Sequence, residues 1–112
     1  MSCMVKICGI NSEDAAMAAM SAGADALGYV FFPPSPRHIS LNGATTLTER
    51  VPDSILKVGL FVEAGDEALE NAIKAGRLDV IQMHGKESPE RVAEVKEKFG
   101  LRVMKAVSVS TS

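Results

Sequence analysis

A parallel α/β fold, with helices and strands in strict alternation, is the architecture that these 112 residues predict. Three observations carry that reading. Short apolar runs recur at intervals of roughly 22 to 30 residues, a spacing that leaves room for a crossover helix between successive strands. Most of the stretches between them are rich in helix formers and end in glycine. The apolar runs are continuous rather than alternating, as strands covered on both faces require.

The elements follow in order. Met4-Val5-Lys6-Ile7 reads as the first strand, with Cys8 at its last position and Gly9 turning the chain. Asn11 or Ser12 caps a helix that opens with Glu13 and Asp14, acids that suit the positive end of the helix dipole. Gly23 closes it. Ala26–Phe32 is the second strand, and Pro33-Pro34-Ser35-Pro36-Arg37-His38 is a stiff loop, because three prolines forbid both helix and ladder pairing. Leu41–Arg50 should be a helix by position, although Gly43, Thr45, Thr46 and Thr48 make it a poor one. Leu56–Val62 is the third strand, and Asp66–Ala75 the third helix, closed by Gly76. Leu78–Met83 is the fourth strand. Ser88 caps a fourth helix with Pro89 at its first position, running to Phe99 and Gly100, and Arg102–Val107 is the fifth strand. From the pattern alone the sheet is either open and doubly wound or part of a closed barrel. A dinucleotide fold is disfavoured, because no Gly-x-Gly-x-x-Gly follows the first strand.

Composition narrows the function classes. Net charge is −2, with 12 basic and 14 acidic residues and no basic stripe. With no Trp, one Tyr and four Phe, there is little surface on which bases could stack, so nucleic acid is not an expected partner. No run is long and apolar enough to span a bilayer, and none behind Lys6 makes a signal peptide. Cys3 and Cys8 lie too close in one strand to staple the fold, which fits a reducing compartment such as the cytoplasm.

Candidate chemistry gathers at the carboxyl ends of the strands, where parallel α/β folds bind ligands. Cys8 lies there, although a free cysteine is also a common core residue. Arg37 and His38 belong to the loop after the second strand and share that rim; His38 reads as loop surface. His84 ends the fourth strand and faces the rim as well, either as a helper in substrate binding or as a structural histidine. Cys3, Cys8 and His84 lack metal-site spacing, so no metal is expected. Asp25 and Asp79 form an internal echo, each just ahead of an apolar strand at the opposite end of the sheet. They read as loop caps. Lys6 is read as turned to the strand face opposite Cys8, with no role.

Five blocks make the pattern specific. Val5-Lys6-Ile7-Cys8-Gly9-Ile10, Ala22–Phe31, Ser35-Pro36-Arg37, Val58–Val62 and Leu78–Gly85 resemble the phosphoribosylanthranilate isomerase family in order and spacing, and Lys105-Ala106-Val107 fits its fifth strand. The resemblance covers essentially the whole chain. It implies a TIM (β/α)8 barrel of tryptophan biosynthesis, here as a partial barrel of about five parallel strands and four helices. It also implies an Amadori rearrangement of N-(5-phosphoribosyl)anthranilate to 1-(2-carboxyphenylamino)-1-deoxyribulose 5-phosphate, with no metal or organic cofactor. By the same resemblance Cys8 is the general base and Arg37 lies near the anthranilate carboxylate, which its planar fork can bind through two oxygens. The family's general acid, an aspartate ending the sixth strand, and its phosphate site, after strands seven and eight, fall outside these 112 residues.

Residues 1–112 are therefore expected to be the N-terminal portion of one such barrel domain, inactive alone. The first and fifth strands should be open edges and the apolar inner face exposed, so that the chain is marginally stable, self-associates or pairs with a C-terminal half. Two other readings stay open: another phosphosugar-handling barrel, and a non-catalytic half-barrel that acts as an assembly module.

Overall fold

The computed structural model describes residues 5–105. Within them the chain runs β1 (Lys6–Ile7), α1 (Glu13–Ser21), β2 (Ala26–Val30), α2 (Leu41–Thr48), β3 (Leu56–Phe61), α3 (Asp66–Gly76), β4 (Val80–Met83), α4 (Pro89–Phe99) and β5 (Arg102–Lys105). The five strands form one sheet in chain order, every pair parallel. Each neighbour pair is joined by one helix, the βα rhythm expected. Met4, Ala106 and Val107, assigned to strands from the sequence, lie outside the described residues.

The sheet has two unlike faces. One packs against the helices in the main core, where Leu27, Tyr29, Phe61, Ile81 and Met83 meet Ala16 and Ala19 of α1, Leu47 of α2, Leu69 of α3 and Val95 of α4. The other is concave and holds a small second cluster of Ala26, Val58 and Val80 with Leu56 against it. This inner face was expected to be exposed, and it is so only in part: Ala26, Val58 and Val80 are buried, Leu56 and Leu60 half-buried, and Met104 of β5 exposed. Strand twist curls the sheet until the buried side chains cover one another.

Three of the four helices begin at a capping serine. Ser12, Ser40 and Ser88 each accept a hydrogen bond from the backbone N–H three residues on. In α2 the Thr45 and Thr46 hydroxyls donate back to the carbonyls of Leu41 and Asn42, which satisfies the hydroxyls without making good the poor helix propensity. Thr48 faces inward, donates to the Gly76 carbonyl at 2.7 Å and meets the Tyr29 hydroxyl at 3.1 Å.

One helix end differs from the sequence reading. Gly76 does not close α3 from outside; it is the last helical residue, and Arg77 takes the left-handed position at φ 50°. The space at Gly76 is tight, and a β-carbon there would stand 3.0 Å from Leu78 Cδ2, which would have to shift to admit it.

Asp25 and Asp79 do what their echo suggested. Asp25 Oδ2 accepts the Val5 N–H at 2.8 Å, and Asp79 Oδ2 accepts the Lys57 N–H at the same distance. Each carboxylate thus ties its strand to the start of the strand before it. Asp79 also lies 3.7 Å from the buried Lys57 ammonium, which donates to the Ile55 carbonyl.

Candidate active site

Cys8 follows β1 directly and is exposed, with a free thiol. Its neighbour on β2 is Gly28, where a β-carbon would lie 3.1 Å from both Cys8 Cα and Sγ. The space beside the thiol exists because that residue has no side chain. Gly9 then turns the chain at φ +78°, a conformation glycine adopts without a steric penalty. Ile10 anchors the turn, its N–H donating to the Gly28 carbonyl at 3.0 Å.

The proline-rich loop brings Arg37 to the same place. Its backbone folds tightly: Ser35 N–H donates to Phe32 O, His38 N–H to Ser35 O, and Arg37 N–H to the Ser35 hydroxyl. The loop returns to the sheet through a bridge between Val30 and His38. The Arg37 side chain consequently lies across Gly9, where a β-carbon would come within 2.5 Å of Arg37 Cδ and 3.0 Å of Nη1. Cys8, Gly9 and Arg37 line one open cleft of about 390 Å3 at the β1–α1 edge of the sheet, together with Ile7, Ile10 and alanines of α1. A cysteine, once deprotonated, and a guanidinium in one cleft can take a proton from a bound molecule while holding its carboxylate.

His84 lies elsewhere on the rim. It follows β4, its N–H donates to Phe61 O at 2.9 Å, and its ring is exposed. It does not line the Cys8–Arg37 cleft. His38 is exposed loop, as expected. Among the described residues no three His, Cys, Asp or Glu side chains are grouped to hold a metal ion, and no helix is long and apolar enough to cross a membrane.

Lys6 corrects an expectation. Residues two apart on a strand share a face, so Lys6 and Cys8 both point to the concave side. There the Lys6 ammonium donates to Gln82 Oε1 of β4.

The rim carries one further network. Glu87 has only 3% of its side chain exposed and accepts from Glu63 N at 2.7 Å, Gly85 N at 2.9 Å and Lys105 Nζ at 2.6 Å. Burial alone would push its carboxyl up. The Lys105 hydrogen bond and the backbone N–H groups reverse that and hold it below the usual glutamate range. One side chain thereby ties the ends of β3, β4 and β5.

Comparison with known proteins identifies the family. The family described as N-(5'phosphoribosyl)anthranilate (PRA) isomerase matches residues 5–112. The chain belongs to the PRA isomerase family. It is 48% identical over all its 112 residues to the N-(5'-phosphoribosyl)anthranilate isomerase of Bradyrhizobium sp. (strain ORS 278), of which it covers 51%. It is 49% identical to that of Rhodopseudomonas palustris (strain HaA2), again covering 51%. The PRA isomerase structure from Thermotoga maritima superposes with a TM-score of 0.90 at 36% identity, over 97% of this chain and 52% of that one. A PRA isomerase structure in complex with reduced 1-(o-carboxyphenylamino)-1-deoxyribulose 5-phosphate also gives 0.90 at 36% identity, over 97% of this chain and 55% of that one. The chain spans about half the length of the curated relatives it matches.

Proposed function

We propose that these residues are the N-terminal portion of a single PRA isomerase barrel of the cytoplasm, which converts N-(5-phosphoribosyl)anthranilate to 1-(2-carboxyphenylamino)-1-deoxyribulose 5-phosphate. The observation that carries the reading is the placement of Cys8 and Arg37 in one cleft at the strand ends of a chain that belongs to this family.

In the reaction an acid protonates the furanose ring oxygen, the C1–O bond opens, and the anthranilate nitrogen's lone pair forms an iminium. Cys8, as thiolate, takes the C2 proton. The electrons of that C–H bond make the enolamine, which tautomerises to the C2 ketone, so that no atom is gained or lost. The iminium acidifies the C2 proton, and a thiolate suffices as base. Arg37 pairs with the anthranilate carboxylate and holds the aromatic end of the substrate over Gly9. His84 contacts substrate from the far side of the mouth. The general acid and the phosphate site come from residues outside these 112, so these residues are inactive without the rest of the barrel.

The test joins this chain to the half of the Bradyrhizobium relative that the match leaves uncovered, and follows consumption of PRA. Turnover by the joined protein and none by the 112 residues alone is the expected result. A folded joined protein without turnover would overturn the proposal.

A further inference from the structure

β1 and β4 are not neighbours. Two strands lie between them, so the backbone links them only through three successive ladders, and the curl of the sheet sets how far apart they stand across the mouth. The concave face between them is lined by Ala26, Val58 and Val80, which carry no polar side-chain atoms. An ammonium directed into such a face needs an acceptor, and Lys6 finds one in Gln82 Oε1 on the opposite side. Both side chains are half-buried, where a charge-assisted hydrogen bond is stronger than at the surface.

The contact also shows which residues of the two strands stand at equal height. Strands in a curled sheet are tilted and staggered, so sheet register alone does not reveal this. With Lys6 level with Gln82, the next inward positions, Cys8 and His84, stand one pleat higher on each strand, about 7 Å further along. The two candidate site residues are therefore carried on the two ends of one brace.

We propose that Lys6 and Gln82 are positioning residues that set the distance between Cys8 and His84 across the mouth. The proposal rests on the reading of Cys8 and His84 as site residues, but its test does not depend on catalysis. A Cys3→Ser/His84→Cys chain is labelled with nitroxides at Cys8 and at position 84, and their dipolar coupling is read by electron paramagnetic resonance. Lys6→Met and Gln82→Leu each remove one end of the brace. Gln82→Glu keeps an acceptor and serves as rescue. Circular dichroism and a cooperative urea transition confirm that each variant is folded, and either removal variant alone suffices if the other is not. The expected result is a defined coupling in the parent, a longer and broader distance distribution in Lys6→Met and Gln82→Leu, and the parent distribution in Gln82→Glu. A parent-like distribution in a folded removal variant, or no recovery in Gln82→Glu, would overturn the proposal while leaving the assignment of Cys8 untouched.

Discussion

Glu87→Gln probes the rim most sharply, because it changes charge and donor pattern without changing shape. The carboxylate accepts three hydrogen bonds, from Glu63 N, Gly85 N and Lys105 Nζ. A glutamine has one acceptor oxygen, and its amide nitrogen must then face another donor. At least one backbone N–H is left unpaired, and the Lys105 ammonium loses its counter-charge. Because Lys105 keeps 30% of its side chain exposed, water makes good part of that loss. The expected destabilisation is about 3 kcal/mol, below what a fully buried pair would lose. Urea unfolding at neutral pH measures it. The pH dependence supplies the sign. Glu87 is held below its ordinary range in the folded chain, so its contribution is complete above the unfolded glutamate value, about 4.3. It disappears as pH falls through the depressed folded value, and the gap between parent and variant must close there. Amide exchange at Glu63 and Gly85 should quicken in the variant at neutral pH. A loss under about 0.5 kcal/mol, within the range of ordinary surface substitutions, or a gap that persists in acid, would refute the reasoning.

Three further outcomes follow from the same structure. Tyr29 is the only tyrosine and there is no tryptophan, so alkaline absorbance reads it alone. Burial raises it above its usual 10.0, the Thr48 hydrogen bond opposing only in part. The tyrosinate midpoint should lie above 10 in the folded chain and return to 10 in urea, with stability falling as pH rises through the folded value. Asp79→Asn should destabilise by about 2 kcal/mol, because the Lys57 ammonium, with 5% of its side chain exposed, loses its counter-charge. Asp25→Asn, with no such partner among the described residues, should lose about 1 kcal/mol or less, and equal urea midpoints for the two would contradict this. Arg77→Gly should stabilise by up to about 1 kcal/mol, since Arg77 holds the left-handed position at the end of α3, and a lowered melting temperature would refute it.

The parallel order of the strands was legible because their apolar runs are continuous, and only a sheet covered on both faces asks for that. The serine caps were legible from residue type and position. Gly76 was misread because a glycine after a helical run looks like a terminator, while here the helix runs through it and Arg77 takes the left-handed position. Lys6 could have been placed correctly by counting, since positions 6 and 8 share a face in any strand. Its partner Gln82 could not, because curvature decides which residues meet across the sheet. Cys8 and Arg37 were assigned to one rim from their loops, and their meeting over Gly9 needed the fold. Nothing in the sequence near Glu87 marks it out, because its three donors come from residues 63, 85 and 105 and converge only in the folded sheet.

The central claim is that the thiol of Cys8 does the chemistry of this cleft. The most direct measurement is the steady-state turnover of PRA by the joined, full-length barrel with and without Cys8→Ala. Removing the general base should lower kcat by about 100- to 10,000-fold and leave KM within a few-fold, because Arg37 and the rest of the cleft still bind substrate. A Cys8→Ala barrel that keeps its kcat would contradict the account.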